Sequence, residues 1–262
     1  MNCTVHRLAE QALLYSVAPP ASLEVQRRIW AMAARAEDWR GVVDVVPGMN
    51  NLTVIFDGSA DVDALERNLK LAWASGEARN ATGKLVEIPV RYGGEHGPDL
   101  GDVAAHTGLT PREVVRRHAA GEYVVYFLGF QPGFAYMGGL APELATPRRR
   151  EPRVAVPAGS VGIGGEQTGI YPAVLPGGWQ LIGRTDAQLF VADRDPPSLF
   201  APGDTVRVWM DRPGTAKPRR AASQTAGDLE IVFEDAVMLV VNKPAGLLTV
   251  PLERKGAAPS VQ

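Results

Sequence analysis

An α+β chain in two halves is the fold class this sequence predicts, and three observations carry the prediction. Residues 12–92 alternate short β-branched runs with two amphipathic helical stretches. Residues 83–210 hold short strand-like runs broken by Gly and Pro, with one helix among them. Residues 211–227, DRPGTAKPRRAASQTAG, lose all apolar periodicity and read as a linker before an apolar stretch resumes.

The elements follow in order. ALLYSV (12–17) is a strand, ended by Pro19-Pro20. Ser22 stands as the N-cap of LEVQRRIWAMAARAEDW, where its hydroxyl can accept an otherwise unpaired backbone amide. Leu23, Ile29, Trp30, Ala33 and Ala34 share one face, and Gly41 is expected to close the helix. VVDVV (42–46) and LTVIF (52–56) are strands joined by the turn-rich PGMNN. A second helix starts near Asp61, with Val62, Leu65, Leu69 and Ala72 at three- and four-residue steps. VEIPVRY (86–92) is the next strand, and the order β-α-β-β-α-β is that of a ferredoxin-like unit. Residues 1–82 are therefore expected to form an N-terminal α+β domain.

In residues 83–212, the runs VVYFLGF, RVAVPAGSVGI, WQLIGRT, QLFVAD and TVRVWM predict a β-barrel or a sandwich. The helix among them, TPREVVRRHAAG, has Thr110 at N-cap, Pro111 at N1 and Glu113 at N3, the pattern of a capping box, with Gly121 as its stop. A linker over 213–228 and a C-terminal extension over 229–262 complete the domain reading.

Bulk properties narrow the function classes. The formal net charge of −2 gives no basic field for nucleic acid. The single cysteine, Cys3, permits no internal disulfide. The four histidines, His6, His96, His106 and His118, form neither H-x-x-x-H nor H-E-x-x-H, so no metal site is expected. With no long apolar run, the reading is of a soluble, cytoplasmic protein without a membrane partner.

Residues 159–183, GSVGIGGEQTGIYPAVLPGGWQLIG, hold eight glycines in 25 positions. A Walker-type loop fails here, because Gly165 and Glu166 stand where the phosphate-binding Lys and the hydroxyl would be. The dinucleotide pattern G-x-G-x-x-G fails at Gln167, and Pro172 and Pro176 forbid the helix that should follow. The glycines serve tight turns and bulges on one reading, and close approach to a ligand on another. The polar residues Ser160, Gln167, Thr168, Tyr171, Trp179, Gln180 and Arg184 lie among expected turns, where side chains converge on ligands. Arg148, Arg149, Arg150 and Arg153 precede them. Arg149 and Arg150 read as solvated charges, and Arg153, beside the apolar VAVPAG run, is the better candidate for an anion site. His118, at a helix C-terminus that favours its protonated form, reads equally as structural or functional.

Five segments carry a family resemblance: PGMNNLTVIF (47–56), EIPVRYGGEHGPDL (87–100), EYVVYFLGFQPGFAYMGGL (122–140), TPRRREPRVAVPAGSVGIGGEQTGIYPAVLPGGWQLIGRT (146–185) and APGDTVRVWM (201–210). They resemble the allophanate hydrolase subunit 1 family, also called the KipI family. GFQPGFAYMGG and PGGWQLIGRT are similar to the forms found in its 5-oxoprolinase branch. The resemblance implies a cyclophilin-like β-barrel behind the N-terminal α+β domain. It also implies an ATP-dependent 5-oxoprolinase that converts 5-oxo-L-proline to L-glutamate with subunits A and C. ATP, with Mg²⁺, would be shared with those subunits. The same family includes an inhibitor of a sporulation histidine kinase and the carboxyltransferase part of urea carboxylase, which remain as alternatives. On this reading Arg153, Gln167 and His118 are the catalytic candidates. Ser160, Tyr171, Trp179 and Arg184 are the candidates for substrate or partner binding.

Residues 229–251, LEIVFEDAVMLVVNKPAGLLTVP, resemble the opening of RluA-type pseudouridine synthases. That family's catalytic Asp lies in an R-L-D motif absent here, so no action on nucleic acid is expected of this chain alone. A truncated fusion and a fragment of a longer product are the two expectations for this segment.

Overall fold

The computed structural model describes residues 3–80, 83–211, 225–226, 229–234 and 239–242. Residues 1–210 make one unit and residues 211–262 another.

The first unit begins with a four-stranded sheet carrying two helices. Its elements are β1 (Cys3–Ala9), β2 (Ala12–Val17), α1 (Leu23–Ala36), β3 (Val42–Gly48), β4 (Asn51–Phe56) and α2 (Val62–Ala74). The sheet order is β1-β2-β4-β3, with every neighbouring pair antiparallel. Alternation decides which face is buried: Leu13, Tyr15 and Val17 of β2 and Leu52, Val54 and Phe56 of β4 point to the helices. They meet Ile29 and Met32 of α1 and Leu65 and Leu69 of α2. Both helices are capped from the sequence: Ser22 accepts from the Val25 amide at 3.2 Å and Asp61 from the Ala64 amide at 3.0 Å.

This sheet differs from the expected ferredoxin-like unit at one place. VEIPVRY was expected as its last strand, but that run belongs to the barrel, and the edge beside β2 is taken by β1, which the sequence pattern did not announce. The difference has a physical origin. Residues 3–17 form a hairpin whose strands pair locally, while the 85–92 strand pairs in parallel with 205–210 over six positions. Helix α1 ends at Ala36, short of Gly41, whose positive φ of 79° instead turns the chain toward β3. Of the predicted α1 face, Ile29, Trp30 and Ala33 are buried, and Leu23 and Ala34 only half so. Gln26 and Trp30 both donate to the carbonyl of Tyr126, at 3.3 and 2.8 Å. These two bonds tie the helix to the barrel.

The barrel region contains β5 (Leu85–Tyr92), α3 (Leu100–Thr107), α4 (Pro111–Ala119), β6 (Glu122–Leu128), β7 (Ala135–Gly138), β8 (Arg153–Val156), β9 (Ser160–Gly164), β10 (Gln167–Ile170), β11 (Leu175–Gly177), β12 (Gln180–Arg184) and β13 (Thr205–Met210). Seven strands close in the order β10-β7-β6-β13-β5-β12-β9. Closure removes unpaired edges. β8 and β11 stand outside as a two-stranded ribbon. Ile88, Val90, Val125, Met137, Val161, Ile163, Ile182, Val206 and Val208 belong to the core within.

Three local expectations are corrected here. RVAVPAGSVGI is two strands, β8 and β9, separated by Gly159 at a φ of 77°. QLFVAD contributes only a single bridge, Phe190 to Ser198. Glu113 does not complete a capping box: Thr110 caps at 3.2 Å, but the Glu113 carboxylate pairs with Arg116 and Arg117, each at 2.7 Å. Charge-assisted bonds to guanidinium outcompete a bond to one backbone amide.

In the second unit, β14 (Thr225–Ala226), β15 (Leu229–Glu234) and β16 (Leu239–Asn242) pair antiparallel in that order. The rest of the expected linker and of the pseudouridine-synthase-like segment lies outside the described residues. No helix among the described residues is long and apolar enough to cross a membrane.

Trp30→Phe removes the indole donor to Tyr126 and leaves Gln26 in place. The expected outcome is a loss of about 1–2 kcal/mol, read as a lower urea midpoint at unchanged slope.

Candidate functional site

Asp99 ends the loop before α3 and is 2 % exposed. A carboxylate so buried needs several donors. Arg153 supplies two, at 2.9 and 2.7 Å, Arg149 one at 3.2 Å, and the Leu181 amide one at 2.7 Å. The Asp99 amide in turn donates to the Leu181 carbonyl at 2.9 Å. One side chain therefore joins the start of α3, strand β12, the outer strand β8 and the arginine segment before it.

Beside this hub lies a cleft of about 260 Å³. Its walls include Phe130, Phe134, Tyr136, Tyr171, Trp179 and Arg148. The rings meet edge to face: Phe134 lies 5.7 Å from Trp179, 5.5 Å from Tyr171 and 4.9 Å from Tyr136 between ring centroids. The glycines of the Gly-rich stretch seat the indole. A Cβ on Gly164 would lie 2.6 Å from Trp179, and one on Gly169 would lie 2.9 Å from it. Close packing of an aromatic on backbone, and not a phosphate, is what requires glycine at these two positions. The Arg148 guanidinium stands 5.8 Å from the centre of the Trp179 ring. Burial raises the pKa of the Tyr136 and Tyr171 phenols, and the Arg148 charge opposes it at both. An apolar floor with one cation at its rim suits an anion that carries a compact apolar body.

The predicted site residues do not converge on one point. Tyr171 and Trp179 share the cleft. Arg153 faces Asp99, so its fork is already occupied and is not the open anion donor expected of it. Arg149, read from sequence as a solvated charge, is half-buried on the same carboxylate. Gln167 lies elsewhere, in a cavity of about 550 Å³ with Tyr126, Gly139, Leu140, Glu166 and Met49. Its Nε2 is buried without a partner. Arg184 lines a third hollow, with its Nε donating to the Ala158 carbonyl at 3.0 Å. Ser160 is 2 % exposed at the start of β9. Ser160, Gln167 and Arg184 stand in barrel strands and not in the turns where they were expected.

His118 is fully buried in the barrel. Thr168 donates its hydroxyl to the Gly162 carbonyl at 3.1 Å, so it accepts from the ring Nε2–H at 2.9 Å. Nδ1 then accepts from the Tyr92 hydroxyl at 2.7 Å. Burial pushes its pKa down to about 3, which corrects the expectation of a protonated ring. Desolvation outweighs the helix C-terminus because the ring has no contact with water. It lines neither the aromatic cleft nor the hollows at Gln167 and Arg184.

Sequence reasoning missed Asp99, Phe134 and Tyr136. Asp99 sits in an ordinary GPDL turn, and its partner Arg153 is 54 positions away, so no local spacing announces the pair. The aromatic richness of GFQPGFAY was the one available signal for the other two.

The family model described as "Carboxyltransferase domain, subdomain C and D" matches residues 3–200. A 5-oxoprolinase B subunit from Escherichia coli O157:H7 is 53% identical over 209 residues, covering 79% of this chain and 95% of the relative. The chain belongs to the family of 5-oxoprolinase B subunits. The Haemophilus influenzae member is 49% identical over 204 residues, covering 78% of this chain and 96% of its own. The fold also appears in the K. lactis urea amidolyase, with a TM-score of 0.69 and 22% identity over 80% of this chain and 15% of that one. Among the described residues the Gly-rich stretch does not build a triphosphate cradle. The Gly-rich backbone is closed by Trp179, and the described residues contain no metal-ligating cluster of His, Cys, Asp or Glu.

Two outcomes follow from these contacts. Asp99→Asn leaves two guanidinium groups without their counter-charge and is expected to cost about 2–4 kcal/mol in urea unfolding, the arginines being partly solvated. For His118, the folded pKa of about 3 lies below the unfolded value, so the unfolded state binds more protons in acid. Stability is full above about pH 6.5 and falls as pH drops toward the folded pKa, with a slope approaching about 1.4 kcal/mol per pH unit. Unfolding midpoints between pH 7 and 5 read this slope, and His118→Gln is expected to flatten it.

Proposed function

We propose that this chain is the B subunit of an ATP-dependent 5-oxoprolinase, which opens 5-oxo-L-proline to L-glutamate in a cytoplasmic complex with subunits A and C. The observation that carries the reading is the near-complete overlap with relatives named as 5-oxoprolinase B subunits, at 53% identity over 95% of one of them.

A lactam amide is resonance-stabilised and resists water. Transfer of the γ-phosphoryl group of ATP to the lactam oxygen, with release of ADP, would make the ring carbon electrophilic; one water adds there and the ring C–N bond breaks to an amine and an acyl phosphate, which a second water hydrolyses to the carboxylate and inorganic phosphate. ATP and Mg²⁺ are taken to be shared with the partner subunits, since the Gly-rich stretch of this chain is closed by Trp179. This chain's share is to bind and orient. Among the candidate residues, Gln167 borders a cavity separate from the aromatic cleft and keeps a buried Nε2 without a partner among the described residues. Arg153 acts through Asp99, as a positioning residue.

The test is co-purification with subunits A and C, followed by an assay of 5-oxoproline-dependent ADP release. The expected result is a stable complex that couples the two reactions. A well-formed complex that releases no ADP on addition of 5-oxoproline overturns the reading.

A further inference from the structure

We infer that the aromatic cleft binds a small cyclic carboxylic acid, its ring against Phe130 and Tyr136 above Trp179 and its carboxylate on Arg148. The naming of that acid as 5-oxo-L-proline rests on the proposed function; the site itself rests on the cleft.

Three observations converge. The first is an unengaged cation. Of the four arginines in and before the ribbon, Arg149 and Arg153 are held by Asp99 and Arg150 does not line the cleft, while Arg148 lines it, is exposed and pairs with no carboxylate among the described residues. The Arg149 amide donates to the Gly178 carbonyl at 2.7 Å, which brings the backbone of this segment beside Trp179, and the Arg148 guanidinium stands 5.8 Å from that ring. The second is shape. The cleft, about 260 Å³, is walled by aromatic rings and by Pro152 and Pro176, which accept a compact apolar ring better than an extended chain. The third is backbone strain at its lip. Phe130 holds a φ of 67°, uncommon for any residue but glycine, and keeps its ring 52 % exposed and 5.5 Å from Phe134.

The same features give a direction of selectivity. A lactam has a neutral nitrogen, so its ring can face the apolar wall while the single carboxylate meets Arg148. L-Glutamate carries an ammonium group and a second carboxylate. Both need solvation that Phe130, Tyr136 and Trp179 do not supply. The cleft therefore holds the lactam and releases the opened acid.

The experiment titrates the full chain with 5-oxo-L-proline, with 2-pyrrolidinone, which lacks the carboxylate, and with L-glutamate. Tryptophan fluorescence and ligand-observed NMR are the readouts. 5-Oxo-L-proline is expected to bind about tenfold tighter than either of the others, with an affinity that falls as salt rises. Arg148→Gln should reduce it to the 2-pyrrolidinone level, and Arg148→Lys should keep part of it. Arg148 is exposed, so an unchanged urea midpoint confirms that both variants fold. Equal binding of 5-oxo-L-proline and 2-pyrrolidinone, absence of saturable binding, or no effect of Arg148→Gln overturns the inference. Loss of complex assembly in Arg148→Gln without any binding of the free acid also overturns it, because the cleft is then a partner contact. Acid binding through Arg148 in a chain whose complex shows no turnover leaves the site standing and removes the proposed function. Unchanged turnover by the Arg148→Gln complex at low and saturating substrate does the reverse.

Discussion

Asp99 is the constraint on which the outer half of the barrel depends. Its carboxylate is almost wholly buried, and its bonds join three separate segments. Leu181 belongs to a barrel strand, Arg153 to the ribbon outside the barrel, and Arg149 to the irregular chain between β7 and β8. A buried ion pair adds little net stability over an apolar replacement, because desolvation offsets the Coulomb attraction. Its contribution here is geometric. It holds the 148–153 segment against the 177–181 turn, and in doing so sets Arg148 at the rim of the aromatic cleft.

The glycine-rich stretch acquires a definite role from this arrangement. Gly164 and Gly169 occupy facing strands under the Trp179 indole, and any side chain there would enter the ring. Glycine spacing that superficially resembles a nucleotide loop thus arises from packing a large aromatic flat on a barrel wall. The cost is the conformational freedom glycine loses on folding. The gain is a rigid apolar floor beside an arginine. The relation to the carboxyltransferase fold shows that this barrel is reused in larger enzymes, and the chemistry has to be read from such local features.

Polar residues in the barrel divide into two kinds. His118, Thr168 and Tyr92 form a directional hydrogen-bond chain ending on the Gly162 carbonyl, and each donor and acceptor in it is satisfied. Such a chain specifies the interior packing. Gln167 is different, since its buried Nε2 has no partner while its residue borders a cavity. A satisfied group explains itself through structure, and an unsatisfied one calls for a ligand or a rotation that brings one.

By itself the sequence determined the local elements. Ser22, Asp61 and Thr110 cap their helices because a side-chain oxygen three residues before an unpaired amide is a local geometry. The alternating runs at 12–17, 52–56 and 205–210 are strands because one face must be apolar. The long motifs were sufficient for the family. Tertiary structure alone decided which sheet receives residues 85–92, since strand pairing is settled by competition among distant partners. It alone decided that Arg153 is engaged and Arg148 is open, because Asp99 can accept only the guanidinium groups that the ribbon brings within reach. It also decided that His118 is neutral. Protonation depends on access to water, and only the closed barrel removes that access.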